Sequence, residues 1–155
     1  MRMRALGSNS RRRVLPGLAF LGLAVLLAGQ VLAAGAPQTV KVVLSDSDVE
    51  HMTLQVDRTR LQPGKVTFEV TNQSQDQIHE MLVLRRDSAG QPLPYDAKDE
   101  KVIEANTQDL GEVADLDPGK GGTLTLDLQP GHYILICNQP GHFMHGMKAD
   151  LTVAN

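Results

Sequence analysis

Eleven residues near the C-terminus, Cys137-Asn-Gln-Pro-Gly-His142-Phe-Met-His-Gly-Met147, bring together the single cysteine of the chain, a histidine and a methionine on one short segment. Thiolate and thioether are soft donors and imidazole is borderline. Two His, one Cys and a weak axial Met therefore select copper in the trigonal geometry of a type 1 electron-transfer centre. The fourth ligand must come from elsewhere, and His79, within Gln77-Ile78-His79-Glu80-Met81, is the best-placed candidate for it.

A lone thiol is informative only with its compartment. Arg2, Arg4, Arg11, Arg12 and Arg13 precede an uncharged apolar stretch from Val14 to Ala34 that ends in small residues, the pattern of an export signal. We therefore expect residues 1–33 to be an export signal, cut after Ala33 or Ala34, and residues 34–155 to be the mature domain. Ser10-Arg11-Arg12-Arg13-Val14-Leu15 also fits a twin-arginine signal. The alternative is that residues 14–34 stay as a membrane anchor, since a span needs roughly 20 residues. The expected location is the periplasm or another exported compartment. There an unpaired cysteine is exposed to oxidation and dimerisation, and metal ligation explains its presence better than inert packing does.

Removing residues 1–33 leaves 10 Lys+Arg against 18 Asp+Glu, a formal charge of −8. Such an acidic protein is a poor partner for nucleic acid and is steered toward basic docking surfaces. About 120 residues suffice for one domain with one core, with no internal repeat, and a monomer is expected.

The mature chain reads as β. Thr39–Leu44, Val66–Asn72, Ile78–Leu84, Thr123–Leu128, His132–Asn138 and Lys148–Val153 are short runs rich in Val, Ile, Leu and Thr. Turn chemistry at Pro63-Gly64, Asp117-Pro118-Gly119 and Pro130-Gly131 separates several of them. Val66, Phe68 and Val70 alternate with Thr67, Glu69 and Thr71, and Leu124, Leu126 and Leu128 alternate with Thr125 and Asp127, as half-buried strands do. Val113 and Leu116 imply one more strand. About seven strands at this spacing predict an all-β, two-sheet Greek-key β-sandwich. The 24 residues from Arg85 to Gln108 break the rhythm: a loop opens at Gly90, Pro92 and Pro94, and Asp96–Ala105 has the makings of a short helix with Val102 and Ile103 inward. Such a long connection either shapes the rim of the site or is a solvated insertion, and we expect the latter.

These residues resemble the cupredoxins, the type 1 blue copper proteins of the plastocyanin and azurin superfamily. The likeness rests on Val66-Thr-Phe-Glu-Val-Thr-Asn72, His79 before an apolar strand, Pro130-Gly-His-Tyr-Ile-Leu-Ile-Cys137, and Pro140-Gly-His142 to Gly146-Met147. The Cys-x4-His-x4-Met spacing is similar to that of rusticyanins, auracyanins and sulfocyanins and longer than the plastocyanin spacing. The resemblance implies one type 1 copper per chain, with His79, Cys137 and His142 as strong equatorial ligands and Met147 as weak axial ligand. Where many members carry Asn after the first His ligand and use it to lock the cysteine loop, this chain has Glu80. Asn138 is the candidate to supply part of that lock.

His51, Met52, Met81, His132, Met144 and His145 are further soft or borderline donors. Met52 and Met81 read better as core filler, His51 and His132 as ordinary surface or strand residues. Met144 and His145 sit inside the ligand loop, where a second metal site or a partner-facing role is open. The expected function is one-electron transfer to redox partner proteins with a basic docking surface. The alternative is copper buffering, tolerance or delivery in the cell envelope. Three strong donors plus Met leave no position for a substrate, so no enzyme is expected.

Overall fold

The computed structural model describes residues 36–48 and 51–155. The expected export signal at 1–33 and the alternative anchor at 14–34 lie outside the described residues. Among the described residues, no helix is long and apolar enough to cross a membrane. The elements are β1 (Gln38–Asp48), β2 (His51–Val56), β3 (Arg60–Leu61), β4 (Gly64–Asn72), β5 (His79–Arg86), β6 (Tyr95–Asp96), β7 (Lys101–Val102), β8 (Gln108–Leu116), β9 (Gly121–Leu128), β10 (Gly131–Ile136) and β11 (Lys148–Val153).

Nine of these build two sheets, ordered β2-β1-β4-β9 and β3-β11-β10-β5-β8. In the first, β1 runs parallel to β4 with Gln38 opposite Val66, and β4 runs antiparallel to β9 with Gly64 opposite Leu128. In the second, β10 is antiparallel to both β11 and β5. The chain crosses briefly to the second sheet at β3 and returns for β4, then changes sheets between β4 and β5, between β8 and β9 and between β9 and β10, which gives the sandwich its Greek-key path. Val66, Phe68 and Val70 of β4 are buried between the sheets, and Leu124 and Leu126 of β9 pack half-buried against that core. The period-2 pattern thus faces inward as expected.

Strands β5 and β10 differ, because they are apolar on both faces. Met81 and Val83 of β5 and Tyr133 and Leu135 of β10 point into the inter-sheet core. Leu82, Leu84, Ile134 and Ile136 point outward. A strand that is apolar on both faces must be covered on both. The cover is the long connection after β5, whose Leu93, Tyr95 and Val102 pack on this second cluster together with Phe143. Each of these outward aliphatic side chains contributes roughly 1.5–3 kcal/mol by leaving water. The connection is therefore not the solvated insertion expected from its composition.

Nor is Asp96–Ala105 a short helix. Asp96 Oδ1 accepts from the N–H of Lys98 and Asp99, and Glu100 turns left-handed at φ +54°. That conformation stops a right-handed helix, so β6 and β7 pair as a hairpin, followed by a 3-10 turn at Glu104–Asn106. Val102 is buried as expected, whereas Ile103 is 36% exposed. Ile78 is likewise 45% exposed, and β5 begins one residue later, at His79. Strand β2 was missed although Met52, Leu54 and Val56 alternate with His51, Thr53 and Gln55, and β3 is only two residues long.

Candidate metal centre

His79 is delivered by an organised turn. Asn72, at the end of β4, is buried and donates from Nδ2 to the carbonyls of Gln77 and Leu116 at 2.9 and 2.8 Å. Its Oδ1 accepts from Ser74 N, and Ser74 Oγ accepts from the N–H of Asp76 and Gln77. This network satisfies buried polar groups and pins the entry to β5. There His79 faces Leu116 of β8, and the register shifts before Met81. His79 shares the inward parity of Met81 and Val83, while Glu80 shares the outward parity of Leu82.

The other donors come from the segment between β10 and β11. Cys137 continues the inward parity of Tyr133 and Leu135. The N–H of Cys137 donates to Met147 O and the N–H of Met147 to His142 O, both at 3.1 Å, which closes the loop at its neck. Gly146 has φ +108°, in the region that favours glycine. The reversal there returns Met147 to the core, where it is fully buried in the same cluster as Cys137.

Three donor atoms converge. His79 Nδ1 and His142 Nδ1 lie 3.1 Å apart, Cys137 Sγ is 3.3 Å from His142 Nδ1 and 3.9 Å from His79 Nδ1. A triangle with these sides has its centre about 2 Å from every corner, the length of a metal–imidazole bond and slightly short of a metal–thiolate bond. Glu80 N donates to Cys137 Sγ at 3.4 Å. Behind the site, His79 Nε2 is buried without a hydrogen bond among the described residues, and Asp46 Oδ1 lies 3.9 Å from it. With Nδ1 turned to the centre, Nε2 faces this carboxylate across a gap too long for a direct hydrogen bond.

Burial dominates the electrostatics. It pushes His142 down to about 4, helped by the neighbouring His79, and it lowers His79 against the pull of Asp46. The Cys137 thiol is pushed up to about 11 and the Glu80 carboxyl to about 7, both chiefly by burial. Near neutral pH, without a cation, the site therefore holds two neutral imidazoles and a thiol. A cation placed between them reverses the preference at sulfur and favours thiolate. Two borderline nitrogens and a soft sulfur in a dry pocket fit copper or zinc and not a hard cation.

His79, Cys137 and His142 are thus brought together, and among the described residues they are the cluster of His, Cys, Asp or Glu that could hold a metal ion. Met147 is buried, whereas Met144, its rival in the loop, is 58% exposed. Met52 and Met81 are core residues, as expected, and His51 is exposed. Asn138 does not reach back to residue 80; it bonds to Val102 and Glu104. Sequence reasoning missed Asp46 and the Asn72 turn. A signal for Asp46 existed: Val40, Val42 and Leu44 point inward, and Asp46 is next in that alternation.

No family model matches the sequence, and no curated protein matches it. Solved structures do match in fold. Auracyanin from Roseiflexus castenholzii aligns at TM-score 0.53 and 21% identity over 79% of this chain and 99% of that one. Auracyanin A, a "blue" copper protein from Chloroflexus aurantiacus, aligns at 0.55 and 19% over 77% and 100%. Rusticyanin from Thiobacillus ferrooxidans aligns at 0.55 and 18% over 78% and 84%. The chain has the cupredoxin fold that its motifs predict.

Proposed function

We propose that this chain is an exported one-electron carrier. In this reading it holds one copper ion through His79 Nδ1, His142 Nδ1 and the Cys137 thiolate, with Met147 as weak axial donor. The observation that carries the reading is the convergence of two imidazole nitrogens and one sulfur among side chains no more than 7% exposed. Bound copper supplies a Cu(II)/Cu(I) couple. The protein supplies a cage: Cys137 gives up its proton, Glu80 N–H stabilises the resulting thiolate by a charge-assisted bond, and Asp46 places a negative charge behind His79. Because the donors sit at the start of one strand and on a closed loop between two others, little moves between oxidation states.

The exit for the electron is His142. It is 7% exposed, while His79 and Cys137 are 0% exposed. Ile78 and Met144, at 45% and 58%, are exposed apolar side chains adjoining the two ligand segments, where a partner can exclude water. The acidic balance of residues 34–155 favours a basic partner. With its donor set closed around the ion, the centre has no vacant position for a substrate, which argues for electron transfer and against catalysis.

The deciding experiment is an optical and EPR titration of residues 34–155 with Cu(II), followed by a redox titration. The reading requires one copper per chain and an intense thiolate-to-copper band that is lost in Cys137→Ser. A band retained in that variant would sink it. A second reading, copper delivery in the envelope, is favoured by the exposed Met144 and His145 beside His142. In that case copper passes readily to a Cu(I) acceptor, and replacing Met144 and His145 slows the transfer.

A further inference from the structure

We propose that the connection between β5 and β8 is a clamp that keeps the ligand loop in its metal-ready shape, with Asn138 as the positioning residue through which it acts. The proposal rests on the copper reading above and adds to it the element that presets the site.

Asn138 follows Cys137 directly and is 1% exposed. Its Oδ1 accepts from Val102 N at 2.7 Å and its Nδ2 donates to Val102 O at 3.0 Å. The side-chain amide thus imitates a paired strand residue. Nδ2 also donates to Glu104 Oε1 at 2.7 Å. Three hydrogen bonds therefore tie the first residue after the thiolate to β7 and the 3-10 turn. Further along, the N–H of Gly141 donates to Glu100 O at 2.9 Å, and the Phe143 ring lies 6.1 Å from that of Tyr95. The connection grips residues 138, 141 and 143, on both sides of His142.

Backbone conformation supports the same conclusion. Among the described residues, Glu100 and Asp115 are the non-glycine residues with positive φ, at +54° and +39°. Both bond to this loop, Glu100 through its carbonyl to Gly141 and Asp115 through Oδ1 to Gln139 Nε2 at 2.9 Å. Strained conformations of this kind persist only where the surroundings impose them, and they cluster at functional sites. The bonds at the neck of the loop, Cys137 to Met147 and Met147 to His142, do not reach residues 138–141, which β8 holds only through the exposed Asp115–Gln139 contact. The connection supplies the buried tie. Without that tie His142 Nδ1 is free to swing away from Cys137 Sγ.

The test compares wild type, Asn138→Ala, Glu104→Ala and Glu104→Gln, first without metal and then with copper. In the metal-free proteins, amide hydrogen exchange is read at Val102, Gly141, His142 and Met147. Asn138→Ala should speed exchange there by roughly tenfold, the loss of about one well-formed buried hydrogen bond, and leave β1 and β4 unchanged. Glu104→Ala should give a smaller increase at the same amides, and Glu104→Gln, which keeps an acceptor, should behave as wild type. Loaded with copper, Asn138→Ala should shift the EPR hyperfine splitting and lose copper roughly tenfold faster. A lower melting temperature with unchanged loop exchange, spectrum and copper loss would make Asn138 merely structural and overturn the proposal. If Asn138→Ala does not fold, Glu104→Ala decides alone: unchanged loop exchange overturns the clamp. The exchange arm needs no metal, so a wild-type protein that gives no copper band fails the functional reading without deciding this one.

Discussion

The backbone N–H of Glu80 points at the Sγ of Cys137 from 3.4 Å, so the strand that presents His79 also presents a hydrogen-bond donor to the sulfur. Two neighbouring residues on β5 thus address the centre in different ways, His79 through its side chain and Glu80 through its backbone. The Glu80 side chain is then left on the outward face, beneath the connection, where burial raises its carboxyl to about 7.

Replacing that carboxyl isolates its effect. A carboxyl whose folded value lies above its unfolded one stabilises the fold fully below the unfolded value, here 4.5, and loses that contribution as pH rises through about 7. In the metal-free protein Glu80→Gln should therefore match wild type near pH 4.5 and exceed it at pH 8, by on the order of 1–3 kcal/mol. Urea melts at both pH values measure it. Equal stability differences at the two pH values would show that Glu80 ionises normally.

Metal loading should release protons. With the thiol at about 11 and His142 at about 4, copper binding at pH 8 should expel about one proton per ion, from Cys137. Calorimetry in two buffers of different ionisation enthalpy counts it. No release would mean that sulfur is not a ligand.

The axial donor can be identified by substitution. Met147 is fully buried and Met144 is 58% exposed. Met147→Leu should keep copper and colour while raising the potential, by on the order of 60 mV for a tenfold change in relative Cu(I) preference. Met144→Leu should leave both unchanged. The opposite pattern in cyclic voltammetry would reassign the axial role.

Gly146 sets the return of the loop. At φ +108°, a conformation that side-chain-bearing residues rarely adopt, Gly146→Ala should destabilise the protein by about 1–3 kcal/mol. It should also loosen copper binding, because the strain falls one residue before Met147. Thermal melts with and without copper check both effects.

Partner encounter should depend on salt. With a formal charge of −8 for residues 34–155, the on-rate with a basic redox protein should fall steeply as the Debye length shrinks from about 30 Å at 0.01 M to about 10 Å at 0.1 M. Stopped-flow reduction at several ionic strengths measures it. A flat salt profile with ready loss of copper to a Cu(I) acceptor would favour the delivery reading.

The sequence by itself determined the candidate donors and the fold class. Cys137, His142 and Met147 lie on one segment, and donor softness is a property of residue type, so the candidate chemistry could be read without coordinates. Val66, Phe68 and Val70 announce an inward face because strand alternation is a local code. The tertiary structure decided everything that depends on contacts distant along the chain. It brought His79 to within 3.9 Å of Cys137 and put Asp46 behind it. It returned Met147 to the core and left Met144 in solvent. It also turned the connection within 85–108 from an expected solvated insertion into a cover. The runs Met81–Leu84 and Tyr133–Ile136, apolar on both faces, required some cover, but which segment supplies it depends on β5 and β10 becoming neighbours. The direction of Asn138 follows from the same event: its amide pairs with Val102 because the outer face of β5 and β10 holds that residue there.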